Sequence, residues 1–408
     1  MSNGKTMDKL RGWFRPSIAL RAEHSAVPGT GSPARELQTA PITTLNRAFQ
    51  PRLLWISLLL PLVLLASHLR STRADAPSQQ QQIAHAAKIV GPDGDNDNAC
   101  SKCHTMEFDA WQTTAHFSSF ITRQQDPRTR IILDKMGFKS MKRQAECRQC
   151  HFTSIMDDGK LVPTWGITCE SCHGAAADWV AIHNKIGGDP NAAMLKWGTG
   201  KDQPPAQKRA RLDAAKSNGM VNSRMIYELA VNCIACHGVP DETLVNKGGH
   251  QPGSDFDLVA WSQGEVRHNF ADSSGAPDHP TNRPATPAEL RRFYIVGCMV
   301  DLEFAVRDLA ETREKQGEYE KAVIARINHI HSKIASVFAL AAIPELAAAV
   351  KELPEPVDGA TVMPAGLADR MSAATKEFAA KNDGSELAAI DGLIPKAFVG
   401  KVFKGGNH

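Results

Sequence analysis

The chain has little charge of either sign to spare. Its 408 residues hold 47 Lys or Arg against 44 Asp or Glu, a net of +3. So weak a surplus argues against a protein that binds nucleic acid by neutralising phosphates. Aromatic residues are scarce at 6%, which argues against stacking platforms for bases. Disorder is excluded too, because 42% hydrophobic and 22% charged residues make a globular composition. The length suffices for two ordinary domains. Cysteine is not abundant, with nine in the chain, but eight of the nine fall into one repeated pattern.

One stretch is built for a membrane. Leu53 to Ser67 reads LLWISLLLPLVLLAS, and His68 and Leu69 extend the uncharged run to 17 residues before Arg70. That is the lower limit for a spanning helix. Residues 1–52 carry eight Lys or Arg against three Asp or Glu, which keeps the N-terminus in the cytoplasm and sends the rest outward. Arg70 and Arg73 weaken that asymmetry. The alternative is a cleaved signal peptide. Ala74-Asp75-Ala76 fits an A-x-A site, but Pro77 follows it directly, and the leader is long. An uncleaved anchor over 53–69 is therefore expected, behind a cytoplasmic tail over 1–52. Export to the periplasmic side of the inner membrane follows. Ser78, four glutamines and a Gly/Asp-rich run read as a linker over 70–95.

The repeated pattern is Cys-x-x-Cys-His. It occurs as CSKCH (Cys100, Cys103, His104), CRQCH (Cys147, Cys150, His151), CESCH (Cys169, Cys172, His173) and CIACH (Cys233, Cys236, His237). This is the attachment sequence for c-type haem. Two thiols must reach two vinyl groups on one edge of the macrocycle, and the next residue must set an imidazole under the iron. In a helical turn, positions one and four share a side and the histidine follows them round. A single CxxC could be a zinc knuckle or a redox dithiol. Four copies, each with its histidine, in an exported chain, point to four covalently bound haem c groups. Zinc pairs or disulfides would leave the histidines unexplained. Cys298, in FYIVGCMVDLEF, reads as packing on the buried side of a helix.

Fifteen histidines are present. Beyond the four motif ligands, the candidates to complete the iron shells are His116, His183, His250, His268, His279, His329, His331 and His408. Phe108, Trp111 and Ala115 recur at helical spacing, so 104–116 reads as an amphipathic helix. Twelve helical residues span roughly 18 Å, too far for His116 to cap the iron of His104. His183 lies ten residues past His173, roughly 15 Å by the same arithmetic. Both should therefore serve a neighbouring haem. His268, in WSQGEVRHNF, and His250, behind two glycines that permit close backbone approach, are the next candidates. His329 and His331 lie beside a stripe of Val323, Ile327, Ile330, Ile334 and Val337, and point to different faces. His279 and His408 read as solvated.

These residues resemble the tetrahaem cytochrome c-554 family of bacterial hydroxylamine oxidation. The resemblance rests on CSKCH followed by W-x-x-T-A-H (Trp111 to His116), a second CxxCH, then CESCHG within about twenty residues. His183 follows ten residues on, and a fourth CxxCH completes the set. It covers roughly residues 96–240. The resemblance implies short helices around stacked haems, little sheet, and electron transfer. It also implies that His116 serves the haem of the third motif and His183 that of the first. The second-motif haem, on His151, would lack a distal protein ligand. The family takes its fourth distal histidine from a C-terminal helix, which would favour His329 or His331 here. The nearer His268 is nonetheless preferred.

Beyond the resemblance, Thr286-Pro287-Ala288-Glu289 is a helix start with a capping box. The stripe of 323–337, limited by Pro344, gives a second helix, and Leu367, Met371, Ala374 and Phe378 give another. The fold class expected is mainly α. A multihaem cytochrome c domain of short helices and loops over 96–285 is followed by a helical region over 286–408 packed on it. The function expected is an electron carrier between redox proteins, such as other cytochromes or an oxidoreductase, held to a membrane by its N-terminal segment. Nucleic acid is not an expected partner. One alternative is an enzyme acting on nitric oxide, nitrite or hydroxylamine at an open iron on His151. A haem-based sensor or scaffold is the weaker third.

Overall fold

The computed structural model of the protein describes residues 79–94, 96–184, 204–268 and 282–404. The tail, the apolar run over 53–69, His279 and His408 lie outside these. Among the described residues no helix is long and apolar enough to cross a membrane. The described residues are mainly helical, with one two-stranded sheet.

The glutamine run does not behave as a linker. Gln79–Ala86 forms a helix, α1, with Ala86 buried. Gln82 donates to the Ala145 carbonyl at 3.2 Å and accepts from Arg148 at 3.2 Å. The N–H groups of Val90 and Gly91 both donate to the Glu170 carboxylate. The expected linker over 70–95 is thus corrected over its described part, because these side chains find partners in the motif-bearing half.

The helix expected to run from 104 through 116 is broken. α2 (Thr105–Gln112) ends at Thr113. Thr114 then caps α3 (Ala115–Gln125), its hydroxyl accepting from the Phe117 N–H at 3.2 Å. The apolar spacing continues across the break, so periodicity alone does not reveal it. Asp126 caps α4 (Pro127–Met136), Pro127 fits its first turn, and Gly137 at φ 74° ends it. α5 (Ala145–His151) leads into a hairpin, β1 (Thr153–Asp157) and β2 (Lys160–Trp165). Its turn residues Asp158 and Gly159 both have positive φ, as a tight twisted hairpin demands. α6 (Cys169–His173), α7 (Val180–His183), α8 (Pro205–Ser217), α9 (Ile226–His237), α10 (Glu242–Asn246) and α11 (Leu258–Ser262) follow.

The last third is a helical assembly around α12 (Pro287–Glu311). Thr286 and Glu289 form the expected capping box. α13 (Glu318–Leu340), α15 (Leu367–Lys381), α9 and α11 pack against α12, with the short α14 (Pro344–Val350) against α15. The stripes expected on α13 and α15 are the buried ones: Val323, Ile327, Ile330, Ile334 and Val337, then Leu367, Met371 and Phe378. The principal core runs continuously from Ile226 to Ile390. It therefore includes α9, which carries the fourth motif. Among the described residues, the motif-bearing half has two small clusters of its own, around Cys147 and Phe152 and around Trp179 and Met220.

Candidate haem centres

Each motif closes a short turn. The first lies in a 3-10 turn (Cys100–Lys102), and His104 immediately precedes α2. His151, His173 and His237 are the last residues of α5, α6 and α9. A helix end lets the ring project past the last turn, clear of its own backbone.

Each motif histidine faces one further histidine. His104 faces His183 with ring centroids 6.0 Å apart, and His116 faces His237 at 6.2 Å. His151 faces His250 at 6.3 Å, and His173 faces His268 at 6.1 Å. Four near-equal separations among chemically matched pairs are not what solvated or core histidines give. Two metal–imidazole bonds of about 2 Å each put ring centroids roughly 6 Å apart. The residues present therefore fit an iron held between two imidazoles at each motif.

Hydrogen bonds set the tautomers. Nδ1 of His173 lies 2.8 Å from the Val221 carbonyl, that of His250 2.8 Å from Gln251 O, and that of His268 2.5 Å from Val266 O. Nδ1 of His237 pairs with the Ser254 hydroxyl at 3.0 Å. A ring that donates from Nδ1 presents a lone pair on Nε2, the nitrogen left for a metal. Burial, and then the facing imidazole, lowers the pKa of His173 and His237 to about 4. The same causes put His151 at about 4 and His183 at about 3, and burial lowers that of His116. These rings stay neutral at physiological pH, as ligands must.

The pairing corrects several expectations drawn from the resemblance. His183 does stand opposite the first motif. His116, in the first turn of α3, faces the fourth motif and not the third. His268, preferred for the fourth motif, faces the third. The position opposite His151 is filled by His250. His329 is exposed on α13, and His331 pairs with Glu355 at 2.7 Å, so neither C-terminal candidate faces a motif histidine. Cys298 is buried in the core of α12, as expected.

Several residues support the motifs, and apart from Trp111 they have no signature in the sequence. Glu170 lies inside the third motif and is only 2% exposed. Its carboxylate accepts from the N–H groups of Val90, Gly91 and Ala176 at 2.8–2.9 Å, pinning the α1 segment to α6. Trp111 Nε1 donates to Ile167 O at 2.7 Å, and the Ile167 N–H donates to His116 O at 3.1 Å. Phe256 and Trp261 flank the His237 ring at 5.0 and 4.9 Å. Asparagine Asn232 ties α9 to the third motif by donating to Cys172 O at 2.7 Å.

The cysteines fix the order of the four centres. The Cys100 thiol neighbours Cys169, and the Cys150 thiol neighbours Cys236. Cys172 lies beside both Cys233 and Cys236. The motifs therefore follow one another in space as first, third, fourth, second.

Residues 99–174 match the family model described as cytochrome c554 and c-prime. The match covers less than half of the chain and supports a cytochrome c likeness for that stretch alone. It implies covalently bound haem c and an electron-transfer role for the region. No curated protein and no solved structure matches the chain.

Proposed function

We propose that the protein is a tetrahaem c-type cytochrome that carries electrons between redox proteins outside the cytoplasm. The observation that supports it most is the set of four histidine pairs. When bound, haem c supplies a one-electron couple whose potential the surrounding protein tunes. Cys100 and Cys103, Cys147 and Cys150, Cys169 and Cys172, and Cys233 and Cys236 would hold the four groups covalently. His104 with His183, His151 with His250, His173 with His268 and His237 with His116 would each offer two imidazole nitrogens to hold an iron. The order of the motifs then makes the row a path, with the first and second motifs at its two ends.

Substrate chemistry at an open iron is the alternative, and the geometry does not favour it. It would need a vacant position opposite His151, where His250 stands. Attachment of c-type haem occurs outside the cytoplasm, so the apolar run over 53–69 is proposed as the export signal or anchor, with the rest periplasmic.

Low-temperature electron paramagnetic resonance on the oxidised, haem-loaded protein tests this proposal. Four low-spin irons and no high-spin signal are expected. His250→Ala should convert one iron to high spin and leave three unchanged. A high-spin iron in the unaltered protein would return the His151 centre to substrate chemistry. Absence of haem from a host able to attach it would overturn the proposal entirely.

A further inference from the structure

The geometry points to a docking face for an acidic redox protein on α4 and the turn after it, beside the centre formed by His151 and His250. This rests on the electron-carrier function proposed above. Residues 123–143 hold seven Lys or Arg and only two Asp, whereas the whole chain has a net charge of +3. Beyond the N-terminal tail, this segment is therefore a local concentration of positive charge. Both aspartates are already engaged: Asp126 with Arg128 at 2.9 Å and Asp134 with Arg130 at 3.0 Å. Lys135, Lys139 and Arg143 are exposed and form no ion pair among the described residues. Arg128, Ile131 and Lys135 lie at i, i+3 and i+7, on one face of α4. Ile131 is 54% exposed there, an apolar contact within a charged rim.

The face sits against a candidate electron-exchange site. Lys135 lies over Gly249, its Nζ 2.8 Å from where a Cβ on that glycine would stand, and Met136 packs on Gly248 in the same way. These glycines immediately precede His250. His151 and His250 belong to an end of the row, where electrons must enter or leave. A positive face at a terminal centre attracts negatively charged partners and orients them for exchange. Such steering raises association rates by about 10–10³-fold, and salt suppresses it.

The test uses the haem-loaded full chain and a reduced acidic ferredoxin as the probe, with second-order rates read by stopped flow over a range of ionic strength. One variant carries Lys135→Glu, Lys139→Glu and Arg143→Glu. A control carries Arg313→Glu, Lys351→Glu and Lys396→Glu, reversing three exposed charges in loops and turns of the C-terminal region. The neutral semiquinone of deazaflavin reports that the haems of all three proteins accept electrons. The face variant is expected to react with ferredoxin at least about tenfold more slowly at low salt, with the salt dependence largely gone. The control should keep most of the rate and of its salt slope. Equal rates for face variant and unaltered protein would overturn the docking face while leaving the carrier function standing. So would a face variant that keeps its ferredoxin rate but loses binding to vesicles containing phosphatidylglycerol. Failure of deazaflavin to reduce any of the proteins would instead overturn the carrier function.

Discussion

At the scale of single residues, the four motifs were plain in the sequence because the covalent chemistry demands a fixed local spacing. The second histidines were only partly legible. His116, His183, His250 and His268 could be nominated from their neighbours, yet which motif each one faces depends on how separate turns meet. No local pattern encodes that. Glu170 shows the same limit: it is one letter in CESCH, but in the fold three backbone N–H groups converge on it. A buried carboxylate is tolerated because those donors replace its water. The cysteines give a prediction at this scale. Eight of nine are expected in thioether links, so the haem-loaded, denatured chain should titrate one free thiol. In the native protein it should titrate none. Cys298 is buried, and burial pushes its thiol up to about 12 against the opposing charge of Lys333. Little thiolate then exists at mildly alkaline pH to react. Ellman titration before and after denaturation checks both values. Three or more thiols on denaturation would show that at least one motif holds no haem.

At the scale of elements, helices whose stripes face one continuous core were legible, and the short turns around the motifs were not. α13 and α15 are long enough for a period of 3.6 to declare their buried faces. α2 and α3 preserve that period across a break, so the turn at Thr114 was hidden. A further element escapes sequence reasoning altogether: the C-terminal segment straps the loop that presents His268. The Val399 N–H donates to Ala260 O at 2.9 Å, and the Glu265 N–H donates to Val399 O at 2.8 Å. Asn282 donates to Phe403 O at 3.0 Å. Glu265 also accepts from the Ala115 N–H at 3.3 Å, so the same loop touches the start of α3 beside His116. The strap requires glycine at 264, where a Cβ would lie 2.0 Å from Val399 O. Gly264→Ala must therefore move either the strap or the loop. It should cost about 1–3 kcal/mol of stability by overpacking. It should also change the resonance of the iron held by His173 while sparing that of His104. Denaturant melts and electron paramagnetic resonance check the two effects. An unaltered spectrum with an unaltered midpoint would mean that the strap does not position His268.

At the scale of the whole molecule, the two halves expected from the sequence are joined through α9, which carries the fourth motif at its end and packs its body against α12. A buried polar cluster marks the junction. Tyr227 of α9 donates to Glu303 of α12 at 2.8 Å and shares a 2.6 Å hydrogen bond with Ser372 of α15. Arg307 bridges Glu303 and Asp369 at 2.9 and 2.8 Å. Burial raises the Glu303 carboxyl above its ordinary value, although Tyr227 and Arg307 pull it back. The consequence for pH has a definite sign. Between the ordinary carboxyl value and the raised one, the folded chain binds more protons than the unfolded chain. Stability contributed by this group is then present at the acid end and falls as pH rises through that window. Glu303→Gln keeps the shape and removes the titration, so its stability should decline less from about pH 4.5 toward neutrality. All other titrating groups are common to both proteins and cancel in the difference. Guanidinium melts of the two at matched pH values read it directly. Parallel curves, or a steeper decline in the glutamine variant, would show that the carboxyl is not held protonated by burial. The junction would then be held by the Arg307 pair with an ordinary carboxylate. The expected divergence would instead mean that the helices behind the fourth motif grip it most firmly in mild acid.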